Sequence, residues 1–420
     1  MGGEWKECAL GDVIELKRGY DLPKQARRAG KTPIISSSGA TGFHAEAKVT
    51  APGVVTGRYG TLGEVFYVAE DFWPLNTTLY VKDFKGNDPR FISYFLRGLD
   101  FFAYSDKAAV PGLNRNHLHA APVLVPTDVA EQRAIAHVLG ALDDKIELNR
   151  RMSETLEATA RTLFKSWFVD FDPVRARMGG RAPGLPAPLA DLFPSRLVDS
   201  ELGEVPEGWE VTCVGDICRR VSMGPFGSDI KTDNFVDAGV PVIRGANLKD
   251  GFIDDEFVFL TEAKANQLKN ANAFPGDIVI THRGTLGQVG LIPENSRFRR
   301  YVVSQSQMLL TIAQERCSPR YVYMYLRSPT GQHALLANTS QTGVPAIARP
   351  TSSVNAIRLT TPPASVLEAF GRAVEPLYRR QAGAVFNSRT LGAVRDALLP
   401  KLVSGELRVR NADKLVASQA

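Results

Sequence analysis

Two stretches of the chain place apolar or small residues at alternating steps of four and three. The first runs Ile135, Leu139, Leu142, Ile146, Asn149, Ser153, Leu156, Ala160, Leu163 and Trp167. The second, shifted by 235 at every position, runs Phe370, Val374, Leu377, Gln381, Ala384, Ser388, Leu391, Arg395, Leu398 and Leu402. A 3.5-residue spacing held over more than four heptads predicts a helix that lays one seam against another helix. Both series are apolar at their ends and polar or small in the middle. Two helices with this shared register fit an antiparallel pair, weak centre against weak centre; the alternative is two amphipathic helices, each packed on its own domain. Leu139, Leu142, Ile146, Leu156, Leu163, Val374, Leu377, Leu391 and Leu398 are the expected seam. Asp128-x-x-Glu131 and Ser365-x-x-Glu368, the latter just past Pro362-Pro363, read as capping boxes that start the two helices. Pro400 stands where the first helix has Lys165, so the second is expected to kink or end near Leu399. Arg395 replaces Ala160 in the seam, and its head group is expected to snorkel outward.

The repeat extends beyond the helices. Trp5-x4-Leu10-Gly-Asp-Val13 recurs as Trp209-x4-Val214-Gly-Asp-Ile217, and Gly60-Thr-Leu-Gly-Glu-Val65 as Gly284-Thr-Leu-Gly-Gln-Val289. Pro89-Arg-Phe-Ile-Ser-Tyr-Phe-Leu-Arg97 recurs as Pro319-Arg-Tyr-Val-Tyr-Met-Tyr-Leu-Arg327, and Val110-Pro111 as Val344-Pro345. The offsets grow in order, 204, 224, 230 and 234, so the second copy carries insertions. A period this long means duplicated domains and not a solenoid. Each copy opens with short β-like runs, such as Val54-Val55 and Ile278-Val-Ile280, and reaches a short helix entered through Asp88-Pro89 or Ser318-Pro319. The expected fold is therefore mixed α/β (α+β): two globular parts at 1–127 and 205–363, separated by two long helices at 128–169 and 364–404 that form an antiparallel coiled coil. A central linker (170–204) and a tail (405–420) complete a pseudo-twofold internal repeat.

Composition adds little to this and contradicts none of it. An apolar content of 44% in 420 residues supplies real cores, and a net charge of +5 permits nucleic-acid binding without requiring it. No signal layout or apolar run of membrane length appears, so the chain is expected to be soluble and cytoplasmic. Cys8, Cys213, Cys218 and Cys317 form no C-x-x-C pair and read as free thiols, with no metal site.

Three stretches then carry a specific likeness. They are Leu163-Phe-Lys-Ser-Trp-Phe-Val-Asp-Phe-Asp-Pro173, Gly203-Glu-Val-Pro-Glu-Gly-Trp209 and Arg395-Asp-Ala-Leu-Leu-Pro-Lys-Leu-Val-Ser-Gly-Glu-Leu407. In this order, on this duplicated frame, the chain resembles the specificity (S) subunits of type I restriction–modification systems, over essentially its whole length. The first half departs in lacking the Gly-x-x-Pro-x-Gly lead-in before Trp5. The resemblance implies two target-recognition domains, each reading one half of a bipartite site in double-stranded DNA. It also implies conserved helices that dock methyltransferase subunits, two of them on a duplicated frame, and a restriction/translocase subunit in the full complex. A rod from Ile135 to Trp167, about 50 Å at 1.5 Å per residue, suits readers held at a fixed spacing. The halves agree in their frame motifs and diverge between them, as at Lys17–His44 against Val221–Asp250, so the site should be asymmetric.

Candidate DNA contacts follow from residue chemistry. Lys17, Arg18, Lys24, Arg27, Arg28 and Lys31, opposed only by Asp21, read either as a phosphate-contacting strip or as a solvated loop. Arg pairs with guanine and Asn with adenine in the major groove. Arg58, Asn114 and Arg115 are therefore candidate base readers, with Tyr59, Asn116 and Ser36-Ser-Ser38 in the same turn-rich surroundings. The second half offers Arg244, Asn247, His282, Arg283, Gln305, Gln307 and the run Asn338–Thr342, with Arg297, Arg299 and Arg300 as phosphate contacts. Arg283 immediately before its Gly-Thr-Leu-Gly turn and Arg58 two before the other look like one repeated position.

Catalytic chemistry has no carrier. A Gly-rich cofactor loop and an Asp/Asn-Pro-Pro-Tyr/Phe motif are both missing from the sequence, and Gly30-Lys31-Thr32 lacks the glycine a phosphate loop needs, having Gln25 there. Glu46-x-Lys48 and Glu262-x-Lys264 lack a Pro-Asp partner, and His117-x-His119 lacks further ligands. No cofactor is expected, and the chain reads as a non-catalytic recognition subunit. The alternatives are a coiled-coil adaptor that reads no sequence, or a nuclease or methyltransferase with unrecognised motifs.

Overall fold

The computed structural model describes residues 4–105, 112–182, 184–227, 229–249, 251–340 and 343–409. Val110-Pro111, Asp250, Gln341-Thr342 and the tail beyond 409 lie outside the described residues. The chain divides into two units: unit 1 is Met1–Ser153 with Ala382–Ala420, and unit 2 is Glu154–Gln381.

Unit 1 carries β1 (Trp5–Ala9), β2 (Glu15–Arg18), β3 (Thr32–Ser36), β4 (Gly39–His44), β5 (Gly53–Gly57), β6 (Val65–Val68), β7 (Trp73–Pro74), β8 (Thr78–Asp83) and β9 (Pro122–Pro126). Its helices are α1 (Leu10–Val13), α2 (Pro89–Arg97), α3 (Arg115–His119) and the start of α4 (Val129–Phe168). An antiparallel sheet ordered β2-β8-β5-β6 lies between two cores. Strand side chains alternate between faces, so Val54, Leu79 and Val81 join one core, with Phe91 and Phe95 of α2, while Val55 and Tyr80 join the other, with Ile35 and Phe72. That double burial is why all five residues of β5 are buried. The second core is covered by the sheet β4-β3-β7, in which β3 and β7 are parallel.

Unit 2 repeats this plan with additions. Its strands are β10 (Leu197–Ser200), β11 (Gly203–Pro206), β12 (Glu210–Cys213), β13 (Cys218–Met223), β14 (Phe235–Val236), β15 (Val240–Ile243), β16 (Val258–Leu260) and β17 (Asn272–Ala273). They continue with β18 (Ile278–Thr281), β19 (Val289–Leu291), β20 (Tyr301–Val303), β21 (Gln307–Ile312), β22 (Thr339–Ser340), β23 (Ala346–Ile347) and β24 (Arg358–Thr361). The sheet β13-β21-β18-β19 matches β2-β8-β5-β6, and β12-β24 matches β1-β9. Ile278 and Ile280 enter one core and Val279 the other. The inserted length builds a five-stranded sheet, β14-β16-β15-β20-β17, in which β15 and β20 are parallel, as β3 and β7 are.

The helices of unit 2 are α5 (Asp172–Met178), α6 (Ala187–Ala190), α7 (Glu262–Gln267), α8 (Pro319–Arg327), α9 (Pro329–Leu336), α10 (Pro350–Asn355) and the first part of α11 (Ala364–Val403). The stretch 170–204, expected as a linker, is built into the structure: it supplies α5, α6, β10 and β11, and its Phe171, Val174 and Phe193 are core residues. The aromatic motifs explain themselves there. Phe168 packs 5.9 Å from Trp209, 5.0 Å from Tyr321 and 4.9 Å from Phe370, centroid to centroid. Aromatic edges against faces favour such clusters.

None of the ten seam positions in α4, or of the ten in α11, is exposed. Within unit 1, Asn149 Nδ2 donates to Ser388 Oγ at 3.3 Å and Arg395 to Asp143 at 2.7 Å, so the later residue of one helix meets the earlier of the other: the helices are antiparallel. Within unit 2, Phe164 packs on Phe370 at 6.0 Å, and Ala160 and Val374 share the core.

Four local expectations are corrected. The α4 box forms by half: Asp128 accepts from Ala130 N at 2.9 Å, but Glu131 turns away to accept from Trp5 Nε1 at 3.2 Å and Arg408 at 3.0 Å. Glu131 thereby ties the first strand to the residues after α11, where the Arg408 guanidinium also lies 4.6 Å from the Trp5 ring centroid. The α11 box does not form, because the helix begins at Ala364 and Pro363 O accepts from Val366 and Leu367. Pro400 does not end the helix: α11 runs to Val403, since Leu402 and Val403 are buried in the unit 1 core and hold the last turn. Arg395 does not snorkel outward but bonds Asp143. No helix among the described residues is long and apolar enough to cross a membrane.

Candidate nucleic-acid interface

Four backbone hydrogen bonds tie five loops of unit 1 into one rim. Gly19 N donates to Thr78 O (3.1 Å), Leu75 N to Ile35 O (2.8 Å), Arg58 N to Thr77 O (2.8 Å) and Leu113 N to Arg58 O (2.9 Å). Unit 2 repeats all four. Gly224 N donates to Gln307 O (2.8 Å), Ser304 N to Ile243 O (3.0 Å), His282 N to Ser306 O (3.0 Å) and Ile347 N to His282 O (2.9 Å). The adjoining bridges Tyr59↔Gly112 and Arg283↔Ala346 match as well. The Gly-Thr-Leu-Gly turn sits in both rims with positive φ at each glycine, 86° and 87° at Gly60 and Gly63, 92° and 84° at Gly284 and Gly287. Only glycine takes that conformation without strain, which is why the motif survives where its neighbours differ.

The bond pattern corrects the supposed echo of Arg58 and Arg283. Arg58 corresponds to His282, and Arg283 to Tyr59. Ser36 likewise corresponds to Arg244, and Asn76 to Gln305. One backbone frame thus presents different side chains in the two units.

In unit 1 the rim gathers Arg58, Tyr59, Asn114 and Arg115. The Arg58 guanidinium lies 4.6 Å from the Tyr59 ring centroid, and that ring is exposed. Asn114 caps α3, its Oδ1 accepting from Asn116 N at 2.9 Å, which fixes the orientation of its amide. Arg115 is exposed at the first residue of α3. His119 is a packing residue: its Nε2 accepts from Leu16 N at 2.9 Å, and burial together with Arg115 holds its pKa below the usual value.

The basic strip is more dispersed than its sequence. Lys17 lies beside Tyr20, Arg18 pairs with Asp21 at 3.3 Å, and Arg28 pairs with Glu46, a second acid the sequence reading had not set against it. Lys24 and Lys31 are exposed and Arg27 is half-buried.

In unit 2, Arg283 and Gln305 are exposed on the rim. Three other candidates are structural. Asn247 is 1% exposed, accepting from Arg244 N at 2.9 Å and donating to Asp255 O at 2.8 Å. Gln307 is also 1% exposed and bonds Thr281 Oγ1 at 3.3 Å. His282 is buried with Nε2 against Gln305 O at 3.2 Å, and burial pulls its pKa below the ordinary imidazole value. Of the arginines expected on phosphate, Arg300 is occupied with Asn272 (2.7 Å) and Glu262 (3.3 Å), and Arg297 with Asp255 (3.7 Å), while Arg299 is exposed.

The sequence reading missed exposed Arg349, which stands at the N-cap of α10 as Asn114 does at α3, and Asn76, the counterpart of Gln305. It also missed Phe226, 76% exposed two residues past Gly224, and Phe102, 64% exposed in the short 3-10 helix Phe101–Tyr104. The equal spacing of Leu75-Asn76 and Ser304-Gln305 after their strands was the available signal. No group of three or more metal-ligating side chains occurs among the described residues. All four cysteines are free; burial pushes the Cys218 and Cys317 thiols up to about 12, which leaves them unreactive.

The family model for the type I restriction modification DNA specificity domain matches residues 2–158 and again 206–366. The HindI type I restriction enzyme specificity subunit of Haemophilus influenzae is 25% identical, over 94% of this chain and 93% of its own. The MjaIX specificity subunit of Methanocaldococcus jannaschii is 28% identical, over 66% of this chain and 59% of its own. In fold, the chain is similar to the crystal structure of a type I restriction–modification S subunit from M. genitalium. The TM-score is 0.59 and the identity 15%, over 95% of this chain and 96% of that one.

Proposed function

The chain belongs to the type I restriction–modification DNA specificity family, and on that premise we propose that each unit reads one half of a bipartite, asymmetric DNA site through its loop rim. The chain supplies DNA sequence specificity to a type I restriction–modification complex and is not itself a catalyst. It binds DNA and assembles with the other subunits.

The observation that supports two readers is the four-bond pattern repeated in both units with different side chains on it. A shared backbone frame would dock each unit on duplex DNA in the same manner, while unlike side chains would select unlike bases. Arg58, Tyr59, Asn114 and Arg115 read in unit 1, and Arg244, Arg283 and Gln305 in unit 2. The exposed cations Lys24 and Lys31 contact phosphates. The target-recognition domains are residues 1–127 and 205–363. The helix seam of α4 and α11 serves two methyltransferase subunits, one per repeat, and through them restriction/translocase subunits, in the cytoplasm where the DNA is.

The purified chain alone is expected to yield neither methylated nor cut DNA, with product appearing when methyltransferase partners are added in a two-to-one ratio by native mass. Footprinting of that complex should protect two short, unlike sequences separated by unselected DNA. Product formed by the chain alone and abolished by a mutation in it, or a single protected block, overturns this reading.

A further inference from the structure

Arg244 follows β15, whose four residues are all buried. Its backbone is fixed from both sides: Ile243 O accepts from Ser304 N at 3.0 Å, and Arg244 N and O bond Asn247 at 2.9 Å each. The side chain is half-buried, and its Nε–H is shut off from water with no acceptor. Three other half-buried guanidinium groups of unit 2 have a carboxylate partner: Arg220 has Asp277 (3.3 Å), Arg300 has Glu262 (3.3 Å) and Arg327 has Glu157 (2.7 Å). Arg244 has no carboxylate partner among the described residues.

A recessed guanidinium with an unmet donor is unfavourable in the free protein. It becomes favourable when a ligand brings acceptors into the rim. We propose that Arg244 reads a guanine in the half-site bound by unit 2, a step that rests on the rim being the DNA-reading surface. Guanine offers O6 and N7 to the two parallel donors of an arginine. A phosphate contact calls for a flexible, exposed cation, such as Lys24 or Lys31, whereas Arg244 is recessed and held from its backbone outward. Its counterpart in unit 1, Ser36, has an uncharged hydroxyl that donates internally to Gly39 O at 3.0 Å. The two rims therefore differ by a full charge at one equivalent place.

The test uses the complete methyltransferase complex carrying Arg244→Lys or Arg244→Gln. The modified motif is read from genomic DNA, and binding is measured on duplexes substituted at each position of the unit 2 half-site. The wild-type half-site should contain a G·C pair. Both variants should lose about tenfold to a hundredfold of the discrimination at that pair, with the other half-site unchanged as an internal control on folding. A unit 2 half-site without G·C overturns the proposal, and so does a uniform loss of affinity on all duplexes, which marks a phosphate contact. Arg283→Ala and Gln305→Ala separate the premise from the proposal: if they alter the motif and Arg244 variants do not, Arg244 is rejected and the rim stands. If none of the three alters it, the rim itself is rejected.

Discussion

Asp143 and Arg395, 252 residues apart, are joined by a 2.7 Å bond in the helix seam, and the same carboxylate accepts from Tyr94 at 2.8 Å and Arg97 at 3.0 Å. Burial pushes the Asp143 carboxyl up, but the bonds from Arg395, Tyr94 and Arg97 outweigh it and hold its pKa below the ordinary value. One acid thus gathers α2, α4 and α11.

A depressed carboxyl stabilises the fold above the unfolded pKa of about 3.9, and that contribution disappears as pH falls through the lower folded value. Asp143→Asn should destabilise unit 1 by about 1.5–3 kcal/mol at pH 7. The gap from wild type should shrink below about pH 4, as read from denaturant midpoints at several pH values. An equal gap at pH 7 and pH 3 would remove the charge from the explanation.

Exposure separates Gln305 from Asn247 in unit 2. Asn247→Ala should lower the melting temperature, with a loss of about 1–3 kcal/mol from unpaired buried groups. Gln305→Ala, at an exposed site, should leave melting within about 0.5 kcal/mol of wild type and change DNA binding. Thermal melts paired with binding assays decide it; an altered motif from a fully stable Asn247→Ala protein would reverse the assignment.

A Cβ on Gly19 would lie 2.1 Å from Leu75 O, and one on Gly224 would lie 2.0 Å from Ser304 O. Each alanine forces two rim loops apart, at a cost of about 1–3 kcal/mol. Gly19→Ala should impair only the unit 1 half-site and Gly224→Ala only the unit 2 half-site, measured as modification of DNAs mutated in one half at a time. Equal damage to both halves from either change would contradict independent rims.

The helices were legible because a seam is a local regularity: Leu139, Leu163 and Val374 fall on it by spacing alone. Polar candidates were not, since nothing in the residue type distinguishes Gln305, which is exposed, from Gln307, which is buried two positions later. Gln305 lies in the turn before β21 and faces water, whereas Gln307 is the first residue of β21, held inward by pairing with β18, whose Thr281 lies opposite it. Arg395 misled for a related reason, its partner Asp143 being distant in sequence. The match of Tyr59 to Arg283 was readable, because the 224 offset of the glycine turn holds for the residue before it.

Replacing residues 205–363 with the matching segment of a relative should change one half of the modified motif and leave the other intact. Long-read detection of modified bases in cells carrying the chimera and its partners gives the answer directly. A change in both halves, or loss of the bipartite form, would refute two independent readers.

The clasp between Trp5, Glu131 and Arg408 bears on how the polypeptide emerges from the ribosome. Unit 2 is built from Glu154–Gln381 alone, whereas unit 1 needs Ala382 onward as well as the start of the chain. The part encoded first is therefore the last to be completed. Its opening strand waits through most of translation for Leu402, Val403 and Arg408, while the later-encoded unit already has every residue it requires. A message cut short just after Gln381 would release a polypeptide with one finished reader and one open core, a species for chaperones and proteases to intercept.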